Sequence, residues 1–420
     1  MQKNIGFVST RFAGTDGVTL EASKWAAVFK QCGHRHFWFA GLLDRSPDRS
    51  FLVPEAFFQH EQNQWINKQI FGKKRRDPAV TDAIFELKIL LKKQLKKFIQ
   101  AFDISLLVAE NILTIPMHIP LGIALTEIIA ETQIPTIAHH HDFYWERTRF
   151  AVNAVGDYLR MAFPPKLPGI EHVVINSAAQ EELALRTGIS PIIIPNVLDF
   201  ENPPQINQRQ TEAFWQSIGL QTDDVKILQP TRIIQRKGIE HAIELVEKLN
   251  DPRYKLIISH EAGDEGWEYA EWLREDAEQR GVDLRLVNIH MSDPMNPDVN
   301  HKETLSLWDV YPHADFITYP SLYEGFGNAF LEAVYFKKPL LINRYATFVQ
   351  DIEPKEFDLI VMDGYLTRNT VSAVKEILES PGRRTKMVNT NFEVASRHYS
   401  YAMLRRWLNI MLTNIFGITL

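Results

Sequence analysis

The sequence predicts an α/β protein with two doubly wound, Rossmann-like domains over residues 1–200 and 201–395. At 420 residues, the chain exceeds what one hydrophobic core usually organises. Apolar strand candidates alternate with helical stretches along its length, which is typical of parallel sheets covered on both faces. One polar segment, 200–222, interrupts the alternation and contains Pro203-Pro204. We therefore predict that it connects the domains.

The first domain opens with a β-loop-α-β unit, as nucleotide-binding sheets do. Its loop contains Gly14 and Gly17, and apolar residues then recur at helical spacing as far as Gly33. The strands predicted here are 4–9, 36–40, 104–108, 135–138, 172–175 and 192–194. A basic amphipathic pattern over 83–100 predicts a helix with a solvated lysine face; binding to an anionic membrane is the alternative.

The second domain repeats the alternation. Its predicted strands are 226–229, 254–259, 283–287, 315–319, 339–342 and 359–362, with helices between them. The apolar pattern from Tyr399 to Phe416 predicts a last helix. Two sheets of this kind bind ligands at the carboxyl ends of their strands, where we look for chemistry.

Composition and charge narrow the function class. The net charge is −6, the isoelectric point is near 6.2 and no domain carries a basic stripe, so we expect no nucleic-acid partner. Cys32 is the single cysteine, which excludes an internal disulfide. The amino terminus lacks an apolar secretory segment, and no stretch reads as membrane-spanning. We expect a cytoplasmic enzyme without stable membrane association; its oligomeric state is not predicted.

The most specific segment runs from Tyr319 to Ala333. A strand ends at Tyr319, a loop with two glycines follows, and an apolar helix begins near Asn328. Such a helix start offers unpaired N–H groups and a positive dipole end to a phosphate. Glu324 and Glu332 lie eight residues apart, so both carboxylates could accept hydrogen bonds from sugar hydroxyls. Alternatively, they are ordinary acidic residues of a helix.

Two cations follow the first strand of the second domain. Arg232 and Lys237-Gly238 stand where that strand gives way to a helix, at the sheet edge that binds ligands. Arg232 and Lys237 could neutralise a diphosphate leaving group without a metal ion. Taken alone, this spacing is also compatible with surface charge.

The run His139-His140-His141-Asp142 allows three interpretations: a metal site, structural histidines, or a sugar contact through His141. Successive strand residues face opposite sides, so His140 points away from the other two imidazoles, and no second His or Cys cluster completes a metal site. We therefore expect no metal. Downstream, Arg147 and Arg149 could bind an acceptor phosphate or carboxylate, or pair with nearby acids. The run 73–76 is expected to be an exposed loop or a phosphate contact.

Together these residues resemble the retaining nucleotide-sugar glycosyltransferases of family 4, in which two Rossmann-like domains face each other across a cleft in the GT-B arrangement. Glu324 to Glu332 match the family's Glu-x7-Glu motif, and Arg232 to Gly238 match its Arg-x4-Lys-Gly motif. The resemblance covers nearly the whole chain. Further matches are Gly17, Gly33-His34, Ile134-Pro135, His141-Asp142-Phe143 and Pro195-Asn196.

The resemblance implies a role for each matching residue. Glu324 would bind the hydroxyls of the donor hexose, and Glu332 the ribose. Arg232 and Lys237 would hold the diphosphate, and His141 would contact the hexose beside the reacting carbon. The backbone of Gly325, Phe326, Gly327 and Asn328 would bind phosphate and sugar.

Two further implications concern the first domain. Its loop at Asp16-Gly17 would contact the donor diphosphate, and Gly17, His141, Arg147 and Arg149 would contact the acceptor. The last helix, about 396–420, would return to this domain, although it is also suited to an ordinary core position.

The implied reaction is a front-face retaining transfer, with no cofactor and no metal requirement, in which the departing diphosphate oxygen takes the acceptor proton. We expect transfer from UDP-glucose to a small phosphosugar, fructose 6-phosphate, giving sucrose 6-phosphate. The enzymatic alternative is synthesis of a glycerate-type compatible solute from GDP-mannose or a nucleotide glucose. The alternative outside catalysis is a nucleotide-sugar-binding protein.

Overall fold

A computed structural model of the chain describes residues 2–14, 16–203, 215–259, 267–287 and 307–417. These residues form two compact units. The first contains the described residues of Met1–Pro195 and Ala402–Leu420. The second contains those of Asn196–Pro294 and Asn300–Tyr401. Each unit is built on one parallel β-sheet with helices in the connections between its strands.

The first unit has a seven-stranded sheet. Its strands are β1 (Asn4–Val8), β2 (Arg35–Ala40), β3 (Ser50–Leu52), β4 (Leu106–Glu110), β5 (Thr136–His140), β6 (Ile170–Val174) and β7 (Ile192–Ile193). They pair in the order β3-β2-β1-β4-β5-β6-β7. The order of the strands reverses between β1 and β4, so the carboxyl ends of these two parallel strands border the crevice where such sheets bind ligands.

Six helices of the first unit lie between these strands: α1 (Gly17–Gln31), α2 (Glu61–Ile70), α3 (Pro78–Ala101), α4 (Ile119–Thr132), α5 (Gly156–Ala162) and α6 (Ser177–Thr187). Helix α3 starts where Asp77 caps it by accepting from the Ala79 amide, with Pro78 at the first helical position. Its buried leucines and those of α4 join one apolar core with β1 and β4. Helices α3 and α4 therefore pack against the first sheet through this shared core.

The second unit has a six-stranded sheet. Its strands are β8 (Val225–Gln229), β9 (Tyr254–Ile258), β10 (Leu284–Leu286), β11 (Phe316–Tyr319), β12 (Leu340–Asn343) and β13 (Ile360–Met362), paired in the order β10-β9-β8-β11-β12-β13. Its helices are α7 (Ile239–Leu249), α8 (Trp267–Gln279), α9 (Leu307–Val310), α10 (Asn328–Tyr335), α11 (Arg368–Glu379) and α12 (Pro381–His398). The last helix of the chain, α13 (Tyr401–Phe416), follows them. Here the order reverses between β8 and β11.

The predicted strands are all present, with ends that differ by at most two residues. Strand β3 was not predicted, because it has only three residues, two half-buried and one exposed, at a sheet edge, which leaves almost no alternation to detect. The predicted last helix is α13, which groups with the first unit from Ala402 onward. Within the connector predicted at 200–222, residues 204–214 lie outside the described part of the chain.

Two basic segments differ from their predictions in detail. The lysine face of α3 is only partly solvated, because Lys88 and Lys92 pair with Glu127 of α4 and their side chains are mostly buried. In the run 73–76, Arg76 forms a bidentate ion pair with Asp157, and the three preceding residues are exposed. No helix in the described segments combines the length and apolar character that a bilayer crossing demands.

Gly238 lets the turn after β8 pack against the loop after β11. Its φ of +61° lies in the left-handed region, and an added Cβ would lie 2.5 Å from the carbonyl oxygen of Pro320. Nearby, the Leu322 amide donates to the Arg236 carbonyl over 2.9 Å. These contacts bring together the two chain segments that carry the predicted Arg-x4-Lys-Gly and Glu-x7-Glu motifs.

We expect Gly238→Ala to destabilise the second unit. Left-handed backbone and the clash with Pro320 together should lower the free energy of unfolding by about 3 kcal/mol. Gly219→Ala is the matched control, because Gly219 also has a positive φ but its added Cβ would meet only Arg285, at 3.9 Å. Urea unfolding should show a loss of about 1 kcal/mol for the control. Equal losses in both variants would contradict the close packing at Gly238.

Candidate functional site

Lys237 and Glu324 form a buried ion pair in the second unit. Lys237 lies in the turn between β8 and α7, and Glu324 lies in the loop between β11 and α10. The Lys237 ammonium donates to Glu324 Oε1, and each side chain is only 10% exposed. Because β8 and β11 border the point where the strand order reverses, the structure places both predicted residues at the ligand-binding edge of the sheet.

A buried amide fixes the backbone of this turn. Gln229, at the end of β8, donates through Nε2 to the Lys237 carbonyl over 3.1 Å. Its Oε1 accepts from the Thr318 hydroxyl of β11 over 3.1 Å. The position of Lys237 is therefore tied to both central strands of the sheet.

Arg236 is the second cation that contacts Glu324, and it was not among the residues predicted from the sequence. Its Nη1 lies 3.1 Å from Glu324 Oε2 and donates to the Tyr323 carbonyl over 2.9 Å. The guanidinium is 40% exposed, so it reaches the pair from the solvent side. Its adjacency to Lys237 in a basic turn was the one signal in the sequence.

The charges of this cluster follow from burial and pairing. Burial raises the pKa of Glu324, but the nearby Lys237 and Arg236 together lower it by more than burial raises it. The pKa therefore lies below its ordinary value, and the group is a carboxylate at neutral pH. Burial lowers the pKa of Lys237, and the Glu324 carboxylate opposes that shift. Burial and Glu324 together raise the pKa of Tyr319 well above its usual value, so its hydroxyl stays protonated beside Glu324.

The glycine loop leads into the start of α10. Gly327 has a φ of +109°, and an added Cβ would lie 2.5 Å from the Tyr345 hydroxyl, so only glycine fits. That hydroxyl donates to the Phe326 carbonyl over 2.8 Å. Asn328 begins the helix, and its side-chain oxygen accepts from Asn196 over 2.7 Å. The loop containing Gly325 is thus held at a helix start, which suits an anion.

Glu332 and Arg232 occupy different environments from Glu324. Glu332 is buried on α10 and accepts from the Tyr311 hydroxyl over 2.9 Å. Arg232 is exposed in the turn after β8, close enough to Lys237 to lower its pKa. The structure therefore brings Lys237, Arg236 and Glu324 together, with Arg232 at the rim of the same turn.

In the first unit, Glu110 ends β4 beside the histidine run at the end of β5. Glu110 is fully buried; its Oε2 lies 3.0 Å from His139 Nδ1 and 3.5 Å from His141 Nε2. The ring of Trp25 on α1 stacks on His139 at 4.3 Å. His140 faces the other way and shares a 2.8 Å hydrogen bond with His172, as strand alternation predicted.

Glu110 was not predicted from the sequence as a member of this cluster. The parallel register pairs Glu110 with His139, which no local motif shows. Burial raises the pKa of Glu110, but contacts with His139 and His141 lower it by more than burial raises it. The pKa of Glu110 therefore lies below its ordinary value. In the described part of the chain, these three side chains are the set whose ligand atoms, all within 4.8 Å, could hold a metal ion. The contacts of Glu110 to both imidazoles also suit an ion-free cluster.

The predicted acceptor arginines have partners within the first unit. Arg147 pairs with Asp142, the alternative that the sequence left open, and Asn111 donates to the other Asp142 oxygen over 2.8 Å. Arg149 lies 4.5 Å over the Phe150 ring. An anionic acceptor would therefore have to share or exchange the Asp142 contact at Arg147.

The loop after β1 holds Asp16 and Gly17. Asp16 caps α1 by accepting from the Thr19 amide and hydroxyl, and it pairs with Arg11 at 2.8 Å. Gly17 is the first residue of that helix. The Asp16 carboxylate is thus engaged in local structure, while the helix start itself lies at the edge of the sheet where β1 ends.

Comparison with known sequences identifies a family and two relatives that match most of the chain. Residues 210–394 match the family of glycosyl transferases group 1. The mannosylglucosylglycerate synthase of Petrotoga mobilis is 34% identical over 393 residues, covering 85% of this chain and 86% of the relative. The enzyme of the same name from Thermotoga maritima is 30% identical over 439 residues, covering 95% and 97% of the two chains.

Solved structures agree in fold. A glycosyltransferase from Rickettsia africae has a TM-score of 0.69 at 12% identity and covers 98% of each chain. The sucrose-phosphate synthase of Thermosynechococcus elongatus has a TM-score of 0.66 at 14% identity and covers 99% of each chain. Identities this low show the fold alone. With the two relatives that match most of its length, the chain belongs to the retaining glycosyltransferases of family 4, with the GT-B fold.

Proposed function

We propose that this glycosyltransferase moves a mannosyl group from GDP-mannose to glucosylglycerate and so makes mannosylglucosylglycerate. The observation that carries the proposal is that both relatives matching most of the chain are named for this product. The fructose 6-phosphate acceptor and UDP-glucose donor expected from the sequence find no support in those names. The glycerate-type alternative replaces that expectation.

The second unit would bind the donor. The carboxylate of Glu324 would accept from hexose hydroxyls, and Arg232 and Lys237 would neutralise the diphosphate as it leaves. The start of α10, with Gly325, Phe326, Gly327 and Asn328, would donate backbone N–H groups to phosphate and sugar. Glu332, held by Tyr311, would bind the ribose. Because Arg232 and Lys237 would supply positive charge to the leaving diphosphate, the proposal includes no metal requirement.

The first unit would bind the hexose and the acceptor. His141 is 11% exposed at its side chain, which leaves one edge of the ring for a sugar hydroxyl while Glu110 lies 3.5 Å from Nε2. Arg147 and Arg149 would bind the carboxylate of the glycerate moiety, with Arg147 exchanging its contact with Asp142. Asp16 and Gly17 would lie against the donor diphosphate and the acceptor.

The chemistry proposed is a front-face retaining transfer. The bond between the anomeric carbon and the diphosphate oxygen breaks, and the departing oxygen takes the proton of the acceptor hydroxyl as the new glycosidic bond forms on the same face. No side-chain nucleophile is needed. The contribution of the chain is charge neutralisation by Arg232 and Lys237 and alignment of the two sugars.

A substrate matrix tests this proposal. Purified protein is incubated in EDTA with GDP-mannose, GDP-glucose, UDP-glucose or ADP-glucose, each with glucosylglycerate, glycerate, fructose 6-phosphate or buffer, and products are identified by mass spectrometry. We expect mannosylglucosylglycerate from GDP-mannose and glucosylglycerate. Sucrose 6-phosphate from UDP-glucose would overturn the substrate assignment. Activity that EDTA abolishes and a divalent ion restores would overturn the metal independence and direct attention to Glu110, His139 and His141.

The Glu324→Gln variant tests whether the protein is an enzyme or a nucleotide-sugar-binding protein. The amide keeps the size but loses the charge that pairs with Lys237, so we expect kcat to fall by about 100-fold or more while GDP affinity changes little. Glu393→Gln is the control, since Glu393 is 71% exposed in a surface pair with Arg397. A wild-type protein that binds GDP-mannose without turnover, with Glu324→Gln affecting affinity alone, would favour the binding protein.

A further inference from the structure

Arg236 lies beside Lys237 and Glu324 in the proposed donor site, but the proposed function gives Arg236 no role. One nitrogen, Nη1, contacts both the Tyr323 carbonyl and Glu324 Oε2, at 2.9 and 3.1 Å. Its own carbonyl accepts from the Leu322 amide over 2.9 Å. Three consecutive residues of the loop after β11 are therefore attached to Arg236, by its backbone at one end and its guanidinium at the other.

Glu324 is divided between two cations, one on each carboxylate oxygen. Lys237 takes Oε1 and Arg236 takes Oε2. Lys237 is the deeper of the two, since its side chain is 10% exposed against 40% for Arg236. An ammonium carries three N–H donors on a flexible side chain, so Lys237 can donate hydrogen bonds to a diphosphate and to Glu324 at the same time. The Arg236 guanidinium is planar, and its orientation is fixed by the two acceptors that it contacts.

We propose that Arg236 is the positioning residue that keeps the Glu324 carboxylate directed at the donor hexose while Lys237 divides its hydrogen bonds between Glu324 and the diphosphate. The inference rests on the proposed roles of Glu324 and Lys237. Its geometric basis is that Arg236 holds the carboxylate oxygen that Lys237 does not, and fixes the backbone one residue earlier.

The charges in the turn agree with this division. Arg232, Arg236 and Lys237 carry three positive charges, and Glu324 carries one negative charge. When Arg236 neutralises Glu324, Arg232 and Lys237 leave two positive charges for the two negative charges of a diphosphate. Without Arg236, Glu324 Oε2 would lose its cation while Lys237 stayed engaged with the diphosphate, so the undercompensated charge in this buried site would be that of Glu324.

The consequence is a selective loss of affinity for the hexose part of the donor. GDP contains the diphosphate but no hexose, so its binding depends on Arg232 and Lys237. GDP-mannose also needs the Glu324 carboxylate in place. Loss of Arg236 should therefore weaken the binding of GDP-mannose and leave the binding of GDP nearly unchanged.

Titration calorimetry of GDP and GDP-mannose with wild type, Arg236→Gln and Arg236→Lys tests the proposal. For Arg236→Gln we expect GDP-mannose to bind about 10-fold more weakly and GDP to bind within about 2-fold of wild type. Arg236→Lys should recover part of the GDP-mannose affinity, because an ammonium can still reach Glu324. Arg253→Gln is the charge-matched control, since Arg253 is 59% exposed and pairs with Asp251, and both affinities should stay at the wild-type value.

A second readout needs no ligand. Hydrogen–deuterium exchange of the peptide spanning 321–326 should be faster in Arg236→Gln than in wild type and Arg236→Lys, because the side-chain attachment of Tyr323 and Glu324 is lost. Equal weakening of GDP and GDP-mannose, or unchanged exchange in this peptide, would overturn the positioning role. A wild-type protein that binds neither GDP nor GDP-mannose would instead refute the proposed donor, and the exchange result would still decide the role of Arg236.

Discussion

The second unit depends on the ion pair between Lys237 and Glu324. A carboxylate as buried as Glu324 loses much of its hydration, and its two cationic partners offset that cost. The pair joins residues 87 positions apart in the chain and so fixes the two loops that follow β8 and β11. Gly238 permits the close approach of those loops, and Gln229 anchors the turn to both strands. The charged site and the packing of the sheet edge are therefore one structural feature.

The first unit uses a comparable arrangement with different chemistry. Glu110 ends a strand next to the reversal of strand order, and it is fully buried. Its partners, however, are the imidazoles of His139 and His141. The second unit thus pairs its buried carboxylate with an ammonium and a guanidinium, while the first pairs its buried carboxylate with two imidazoles.

Most of the fold was predictable because its strands are continuous apolar runs between helices, and buried parallel strands require that pattern. Lys237 and Glu324 were predictable because each lies in a spaced motif. Arg236 and Glu110 were not, for physical reasons. The partner of Arg236 comes from a distant loop, and the neighbour of Glu110 is set by the register of β4 against β5, which tertiary packing decides. The pairing of Arg147 with Asp142 was one of two alternatives that sequence alone left equal.

The most direct measurement is a double-mutant cycle on the free energy of unfolding, with Lys237→Met, Glu324→Gln and the double variant compared by urea denaturation. If the pair organises the second unit, each single change leaves a buried charge short of a partner, and we expect a loss of about 2 kcal/mol or more for each. The double variant should then lose at least about 1 kcal/mol less than the sum of the single losses. Additivity within about 0.5 kcal/mol would show that the two residues are not coupled and would contradict the account.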